Sequence, residues 1–426
     1  MTKLALFGGA PIIDGDLPAY TSMGEAEEAA VLDVIRSGCL SGFFGSPGPE
    51  FLGGPKVRSF ENAWKERYGV GHAVSVNSAT SGLFAAMGAI GVGPGDEVIL
   101  PAWTMSATAM APLIYGGIPV FADVDDKTFC LDLEQVHTNI TAKTRAILAV
   151  NLFGHPAQLT ELRRIADEHS LYLIEDNAQA PLAEENGRKS GTVGHIGVFS
   201  LNFHKHVHSG EGGVCVTDDD DLALRLQLIR NHGENCADML ADRDLTNIIG
   251  FNFRMPELSA AVALAQLRDI DRHVEARERL AAALNDGTKD LEGWTTPQAR
   301  PGCRHNYYVW NVRYHADVVG VDRELFSRAL AFEGFPHMTG YVAPLYRLPV
   351  FQQRKALGRE GHPFTLTERR YDDGLCPVTE RLHEAEAILF EPCAIAADDA
   401  LTGKLVEAVR KVHRLRGELA SKAAQV

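Results

Sequence analysis

Between residues 70 and 217, short runs of apolar and β-branched residues alternate with stretches whose apolar positions recur at helical spacing. HAVSV (72–76), EVILP (97–101), PVFADV (119–124), AILAVNL (146–152), LYLIED (171–176), GVFSL (197–201) and GVCVT (213–217) read as strands. SGLFAAMGAIG, SATAMAPLIY and the amphipathic LTELRRIADEHS read as the helices between them. Near-continuous apolar strands separated by helices predict an α/β fold, a mostly parallel sheet covered on both faces. After Asp218 the pattern turns helical through DLALRLQLIRNH, PELSAAVALAQLRDI and HVEARERLAAALN. A new strand signal, YYVWNVRY (307–314), then opens a smaller α+β unit with helices around ELFSRALAFEG and LTGKLVEAVRKVHRL. The Pro-, Gly- and Arg-rich ARPGCRH (299–305) reads as the seam. The expected division is an N-terminal segment 1–25, a large domain 26–280 and a small C-terminal domain 281–426.

Composition narrows the class. At 426 residues the chain exceeds one ordinary core. Hydrophobic residues at 45% and charged residues at 23% exclude a disordered or fibrous protein. With 41 Lys and Arg against 56 Asp and Glu, the net charge of −15 argues against a nucleic-acid partner, whose phosphates call for clustered cations. The seven cysteines are scattered without CxxC spacing, so neither a disulfide framework nor a thiolate zinc site is indicated. The start, MTKLALFGGAPIIDGD, lacks the apolar region and cleavage site of a signal peptide. The uncharged stretches 68–95 and 98–122 are broken by Gly, Pro and polar residues, which is unlike a membrane span. The expectation is a cytoplasmic protein without a membrane partner.

In a parallel sheet, ligands bind at the carboxyl ends of the strands. Those ends carry Asn77-Ser78-Ala79-Thr80, Pro101-Ala102-Trp103-Thr104, Asp123, Glu175-Asp176-Asn177 and the segment from Ser200 to Gly213. The first group suits a phosphate at a helix N-terminus, although the same residues also serve as a plain helix cap. Lys205, in FSLNFHKHVHSGEGGV, is either a surface loop lysine or a pocket amine able to form an imine with an aldehyde. His204, His206 and His208 alternate and, with Glu211 or Asp176, offer a second reading as metal ligands. No recognised metal spacing supports it, so no metal is expected; the imidazoles either contact a substrate carboxylate or phosphate or hydrogen-bond locally, and the local role is favoured. Neither GxxxxGK[ST] nor GxGxxG occurs, which sets aside a P-loop ATPase and a nicotinamide-dependent dehydrogenase. The acidic run Asp218 to Asp221 reads as a helix cap.

Together, VNSATSGL, GVGPGDEVILPAWT, PVFADVD, NLFGHP, LIEDNAQA, FSLNFHKHVHSGEGG, LIRNHGE and GFNFRMPELSAAVALAQL occur in the order of one family. With YVAPLYRLPVF and LCPVTERLHEAEAILFEP, they make the chain resemble the DegT/DnrJ/EryC1/StrS sugar aminotransferases from about residue 5 to 415. The resemblance implies fold type I, with a seven-stranded mostly parallel sheet, and pyridoxal 5'-phosphate as cofactor. It implies that Lys205 is the Schiff-base lysine and that Asp176 pairs with the cofactor's ring nitrogen. It places Gln179 beside the ring, Trp103 on its face, and Ala79, Thr80 and Ser200 at its phosphate. Asn252 would reach that phosphate from the neighbouring subunit of a homodimer with shared active sites. The implied reaction moves an amino group from L-glutamate or L-glutamine to a keto-sugar or keto-cyclitol, as in antibiotic or surface-sugar biosynthesis. LALFGGAP and CPVTERL look closest to the branch that aminates cyclitols. Two departures stand out. Ala79 replaces the usual Gly of the phosphate loop, and histidines flank the lysine. A dehydratase or elimination enzyme of the same fold is the alternative, with a metal-dependent enzyme using the three histidines behind it.

Overall fold

A computed structural model describes residues 3–240 and 244–422. Among the described residues, fourteen strands run in chain order: β1 His72–Val76, β2 Glu97–Pro101, β3 Ile118–Ala122, β4 Thr144–Val150, β5 Tyr172–Asp176, β6 Glu184–Glu185, β7 Arg188–Lys189, β8 Ile196–Ser200, β9 Gly213–Thr217, β10 Trp294–Thr295, β11 Cys303–Arg304, β12 Trp310–Tyr314, β13 Met338–Thr339 and β14 Ala387–Phe390. The helices of the first two-thirds are α1 Glu25–Ser37, α2 Pro55–Tyr68, α3 Ala79–Ala89, α4 Ser106–Leu113, α5 Leu133–Asn139, α6 Leu159–Glu168, α7 Asp220–Arg230, α8 Glu257–Arg268 and α9 Ile270–Thr288. No helix among the described residues is long and apolar enough to cross a membrane.

The large sheet has seven strands in the order β1-β9-β8-β5-β4-β2-β3. Strand β9 runs antiparallel to both its neighbours, and the other pairs are parallel. The apolar alternation now has its reason. On β2, Val98 and Leu100 pack with Leu83, Met87 and Ile229 of α3 and α7, whereas Ile99 faces Ile147, Leu162 and Ile165 on the other side. Each such side chain removed from water contributes about 1.5–3 kcal/mol, so a one-residue slip of register would expose a whole face.

Strand β4 keeps the expected seven residues but lies two positions earlier in the chain, and β12 is three residues shorter than its apolar run. Strand β4 ends at Val150 because the Asn151 side chain takes over the hydrogen bonding: its Oδ1 accepts from Ala157 N at 2.8 Å and its Nδ2 donates to Asn177 Oδ1 at 2.7 Å. Strand β12 begins only at Trp310, since Tyr307 has a φ of 50° that breaks the extended backbone. The acidic run is a cap, with Asp219 Oδ1 accepting from Leu222 N at 2.9 Å.

A four-stranded sheet, β10-β12-β14-β13, carries the C-terminal core. That core includes Trp310, Phe326, Leu405 and Val409 and also Leu4 and Ile13 from the chain start. A buried ion pair fastens the start there. Lys411 Nζ meets Glu333 Oε2 at 2.8 Å and Ala10 O at 2.7 Å, and Glu333 accepts from Ala5 N and Ile12 N at 2.9 and 3.1 Å. The ARPGCRH segment supplies β11, which pairs with β6 just after β5.

Candidate active site

The ends of β5, β8 and β1 converge with the β8–β9 loop and residues from the C-terminal third. Side chains alternate across a strand, so Glu175 and Asp176 face opposite sides of the sheet. Glu175 is saturated. It accepts from Gly191, Val193 and Gly194 amides at 2.5 to 2.7 Å and from Asn151 Nδ2 at 3.2 Å. Asp176 accepts from Thr108 Oγ1 of α4 at 3.0 Å and from Ala178 N at 3.2 Å. Burial raises the Asp176 carboxyl, while the charge of Lys205 works to lower it.

Lys205 sits in the turn between β8 and β9, its amide bonded to Asn202 O at 3.0 Å. Its Nζ donates to Tyr308 OH at 3.0 Å and lies 4.3 Å from the centre of that ring. Burial pushes the amine down to about 8 from an ordinary 10.5, with Asp176 acting in the opposite direction. A lysine so placed is neutral in about a tenth of molecules at pH 7, far more than an ordinary lysine, which favours it as a nucleophile.

The segment 77–80 opens α3. Ser78 is the cap, its Oγ accepting from Ser81 N at 3.1 Å, and the first helical bond runs from Gly82 N to Ser78 O. The Ala79 and Thr80 amides therefore precede the helical ladder, and the Thr80 side chain is exposed. Gly213 of β9 lies against this turn, where a Cβ would come within 2.7 Å of Ala79 N and Ser78 C. Ser200 is paired with Gly213 across β8 and β9 and is half-buried. Gln179 is clamped, its Oε1 accepting from Phe153 N at 2.7 Å and its Nε2 donating to Tyr341 OH at 3.1 Å. Asn252 is exposed, with Oδ1 accepting from Arg254 Nε at 2.8 Å. Next to it, Phe253 O accepts from Asn77 N at 2.8 Å, so Asn252 stands beside the 77–80 turn of its own chain.

Trp103 follows the end of β2 by two residues. Its indole is wholly buried, with Nε1 donating to Val342 O at 2.9 Å and with Phe129, Phe153 and Tyr341 meeting it edge-on. The three histidines diverge. His206 is buried with Nε2 against Asn306 O at 3.1 Å, His208 Nδ1 accepts from Gly210 N at 3.4 Å, and His204 is exposed beside Phe203 and Tyr308. No three His, Cys, Asp or Glu among the described residues form a metal-holding group.

Thr108, Tyr308 and Tyr341 hold the site residues in place, and only the neighbourhood of Tyr341 was marked by the motifs. Tyr308 reads in the sequence as part of a strand. Its position against Lys205, 103 residues away, depends on the left-handed turn at Tyr307.

Comparison with known proteins gives a coherent result. The profile described as the DegT/DnrJ/EryC1/StrS aminotransferase family matches residues 46–388. An L-glutamine:2-deoxy-scyllo-inosose aminotransferase of Streptoalloteichus tenebrarius is 36% identical over 433 residues, covering 98% of this chain and 99% of the relative. A GDP-perosamine synthase of Caulobacter vibrioides is 38% identical over 258 residues, covering 60% of this chain and 68% of the relative. The solved structure of DesI in the presence of its TDP-sugar product superposes with a TM-score of 0.79 at 31% identity, covering 99% of both chains.

Pyridoxal phosphate is the cofactor of this family, and the residues here fit it. A buried carboxylate with unfilled acceptor capacity, an amine of lowered basicity and a helix start with free amides are the three groups that a pyridinium, an aldehyde and a phosphate require. The fold is that of the fold type I enzymes, and the three-histidine metal reading falls away. The chain is a member of the DegT/DnrJ/EryC1/StrS family of pyridoxal-phosphate-dependent aminotransferases.

Proposed function

We propose that this aminotransferase moves the amino group of L-glutamine, or of L-glutamate, onto the ketone of a cyclitol, in the cytoplasm and as part of secondary-metabolite biosynthesis. The similarity over nearly the full length to an L-glutamine:2-deoxy-scyllo-inosose aminotransferase carries the choice of substrate class. The joint placement of Asp176 at the end of β5 and Lys205 in the turn after β8 carries the chemistry. Seven unpaired cysteines among the described residues agree with a reducing compartment.

Pyridoxal phosphate, when bound, supplies an aldehyde that takes up the amino group and a ring that accepts the electrons released at the donor's Cα. Asp176, fixed by Thr108 and Ala178, offers its carboxylate to a protonated ring nitrogen. The amides of Ala79 and Thr80, with Thr80 and Ser200 hydroxyls, receive the phosphate. Lys205 Nζ takes the proton from the donor's Cα as a general base, and Tyr308 OH holds that amine in place. Gln179, held between Phe153 and Tyr341, would stand beside the ring when the cofactor is bound. In the second half of the cycle Lys205 returns a proton to the carbon that was the acceptor's ketone. The net change exchanges an amino group for an oxygen between donor and acceptor.

Assembly into a homodimer with shared sites completes this reading. Phe44, Met105, Phe203 and Ile249 expose large apolar side chains, from 51% to 67% of their surface, on segments adjoining the site residues. Asn252, exposed beside the 77–80 turn, is the residue proposed to reach the partner's phosphate site.

The deciding experiment incubates the holoenzyme with L-glutamine or L-glutamate and, separately, 2-deoxy-scyllo-inosose or nucleotide-linked keto-sugars, with products followed by mass spectrometry. A donor-dependent amine on the cyclitol is expected. Loss of water from a substrate with no donor present would favour the elimination reading. Amination of keto-sugars alone would move the acceptor class.

A further inference from the structure

Behind the lysine lies a buried cation that the proposed mechanism does not use. Arg277 of α9 is 2% exposed, and Nη1 is committed to His273 O at 3.1 Å. Its Nε and Nη2 have no hydrogen-bond partner, and no carboxylate among the described residues forms an ion pair with it. The other buried arginines each have a carboxylate: Arg230, which leaves the same two nitrogens unpartnered, pairs through Nη1 with Glu61 at 2.6 Å, Arg323 pairs with Glu324 at 2.7 Å and Arg225 with Asp244 at 3.7 Å. A buried guanidinium with no counter-anion is costly, of the order of several kcal/mol, so the chain holds open a place for an anion that it does not itself provide.

The shape of that place is specific. Nε and Nη2 form one edge of the guanidinium, the parallel pair of N–H donors that matches the two oxygens of a carboxylate. The plane is held by the Tyr20 ring, whose centre lies 3.5 Å from Cζ. One turn earlier, His273 is fully buried, bonds through Nδ1 to Tyr20 OH and leaves Nε2 unpartnered. His206, the residue after Lys205, is fully buried too and leaves Nδ1 unpartnered. The Cys393 thiol lies within hydrogen-bonding reach of the Arg277 guanidinium and feels the charge of Lys205 as well; burial raises that thiol, which leaves it a neutral partner that supplies no counter-charge to Arg277. A cavity of about 320 Å³, lined by Tyr20, Arg277, Pro392, Ile395 and Asp398, adjoins the cluster. Asp398 is occupied as the cap of the helix Asp399–Arg414, its Oδ1 accepting from Leu401 N at 2.8 Å.

We infer that the free edge of Arg277, assisted by His273, binds the α-carboxylate of the amino-acid donor and so selects amino acids for the first half of the reaction. The assignment rests on the aminotransferase reading above and deepens it, because a donor carboxylate is common to glutamine and glutamate whereas a cyclitol acceptor has none. Arg277 therefore acts on one half-reaction only.

The test uses the holoenzyme and the variants Arg277→Met and Arg277→Lys. Glutarate, a dicarboxylate with no amine, is titrated calorimetrically, and the donor and acceptor half-reactions are timed separately by cofactor absorbance. For Arg277→Met, glutarate affinity and the donor's apparent affinity fall at least about 30-fold, the acceptor half-reaction stays within about twofold, and the donor-free protein melts higher because an unpaired buried charge has gone. Arg277→Lys, which keeps the charge but loses the two-pronged edge, falls between the two in affinity. L-Glutaminamide, with the α-carboxylate replaced by an amide, is discriminated against by the wild type and not by Arg277→Met. Unchanged donor affinity, an equal loss in both half-reactions, or a lowered melting temperature of Arg277→Met would each overturn the assignment. Glutarate affinity depends on Arg277 whichever ketone is aminated, so a wrong acceptor class leaves this outcome readable.

Discussion

Two places in the molecule bury a lysine and a carboxylate near one another, and they are built in opposite ways. In the C-terminal unit, Lys411 and Glu333 are in direct contact at 2.8 Å, and backbone groups from residues 5, 10 and 12 fill their remaining hydrogen-bonding positions. At the sheet end, Asp176 and Lys205 are held by neutral hydroxyls, Thr108 for one and Tyr308 for the other. The first arrangement is closed and fastens the chain start to the far end of the sequence. The second leaves charge and lone pairs for a ligand, and burial lowers the basicity of its amine. Saturation marks a structural pair, and open valence marks a candidate site. Glu175 and Asp176 repeat the contrast within two consecutive residues of one strand.

Substitutions sharpen this contrast, beginning with the largest effect. Lys205→Ala is expected to lower transamination by about 1,000-fold or more while the unfolding midpoint moves little; turnover near wild type would remove the lysine from its role. Lys411→Met should do the reverse. It strands Glu333 and costs about 3–5 kcal/mol in urea unfolding, with turnover per folded molecule unchanged. For Asp176→Asn the expected loss in turnover is on the order of 100-fold, read at saturating donor with circular dichroism confirming the fold.

The titration of Lys205 separates the two regions by pH. Only the neutral amine attacks an aldehyde, so cofactor-free protein should take up pyridoxal phosphate faster as pH rises, levelling above about 8 and not above 10.5. The sign for stability follows from the same shift. Between those two values the unfolded lysine binds more protons than the folded one, so the cofactor-free protein gains stability as pH rises through that window and carries the full cost of the buried charge below it. A reconstitution rate still climbing past pH 9 would contradict the lowered value. The smallest effect is expected for Tyr308→Phe, which removes one hydrogen bond from the amine and should slow turnover by about tenfold or less, with a displaced pH profile distinguishing it from a packing defect.

Much of the fold was legible in the sequence because its determinants are local. Apolar runs with β-branched residues marked all seven strands of the large sheet, and the Asp219 cap and the helices α3, α4 and α6 to α9 followed from spacing and end signals. The places of Lys205 and Asp176 were legible for the same reason: Asp176 ends β5 and Lys205 lies in the turn that follows β8, each within a motif that identifies its neighbours. Their partners were not. Thr108 is 68 residues from Asp176 and Tyr308 is 103 from Lys205, and no period or spacing links positions so far apart.

The sequence by itself determined the strand and helix periods, the family, and which residues stand at the sheet's open end, since side-chain period and strand termination are properties of short segments. Only the tertiary structure decided which carboxylate of the Glu175–Asp176 pair is spent on backbone amides, that the Trp103 indole is covered, and that the chain start packs into the C-terminal core. It alone left Arg277 buried without a counter-anion. Those outcomes depend on how distant surfaces meet, and the free energy of a buried polar group is set by the neighbours that fill its valences, whatever their distance along the chain.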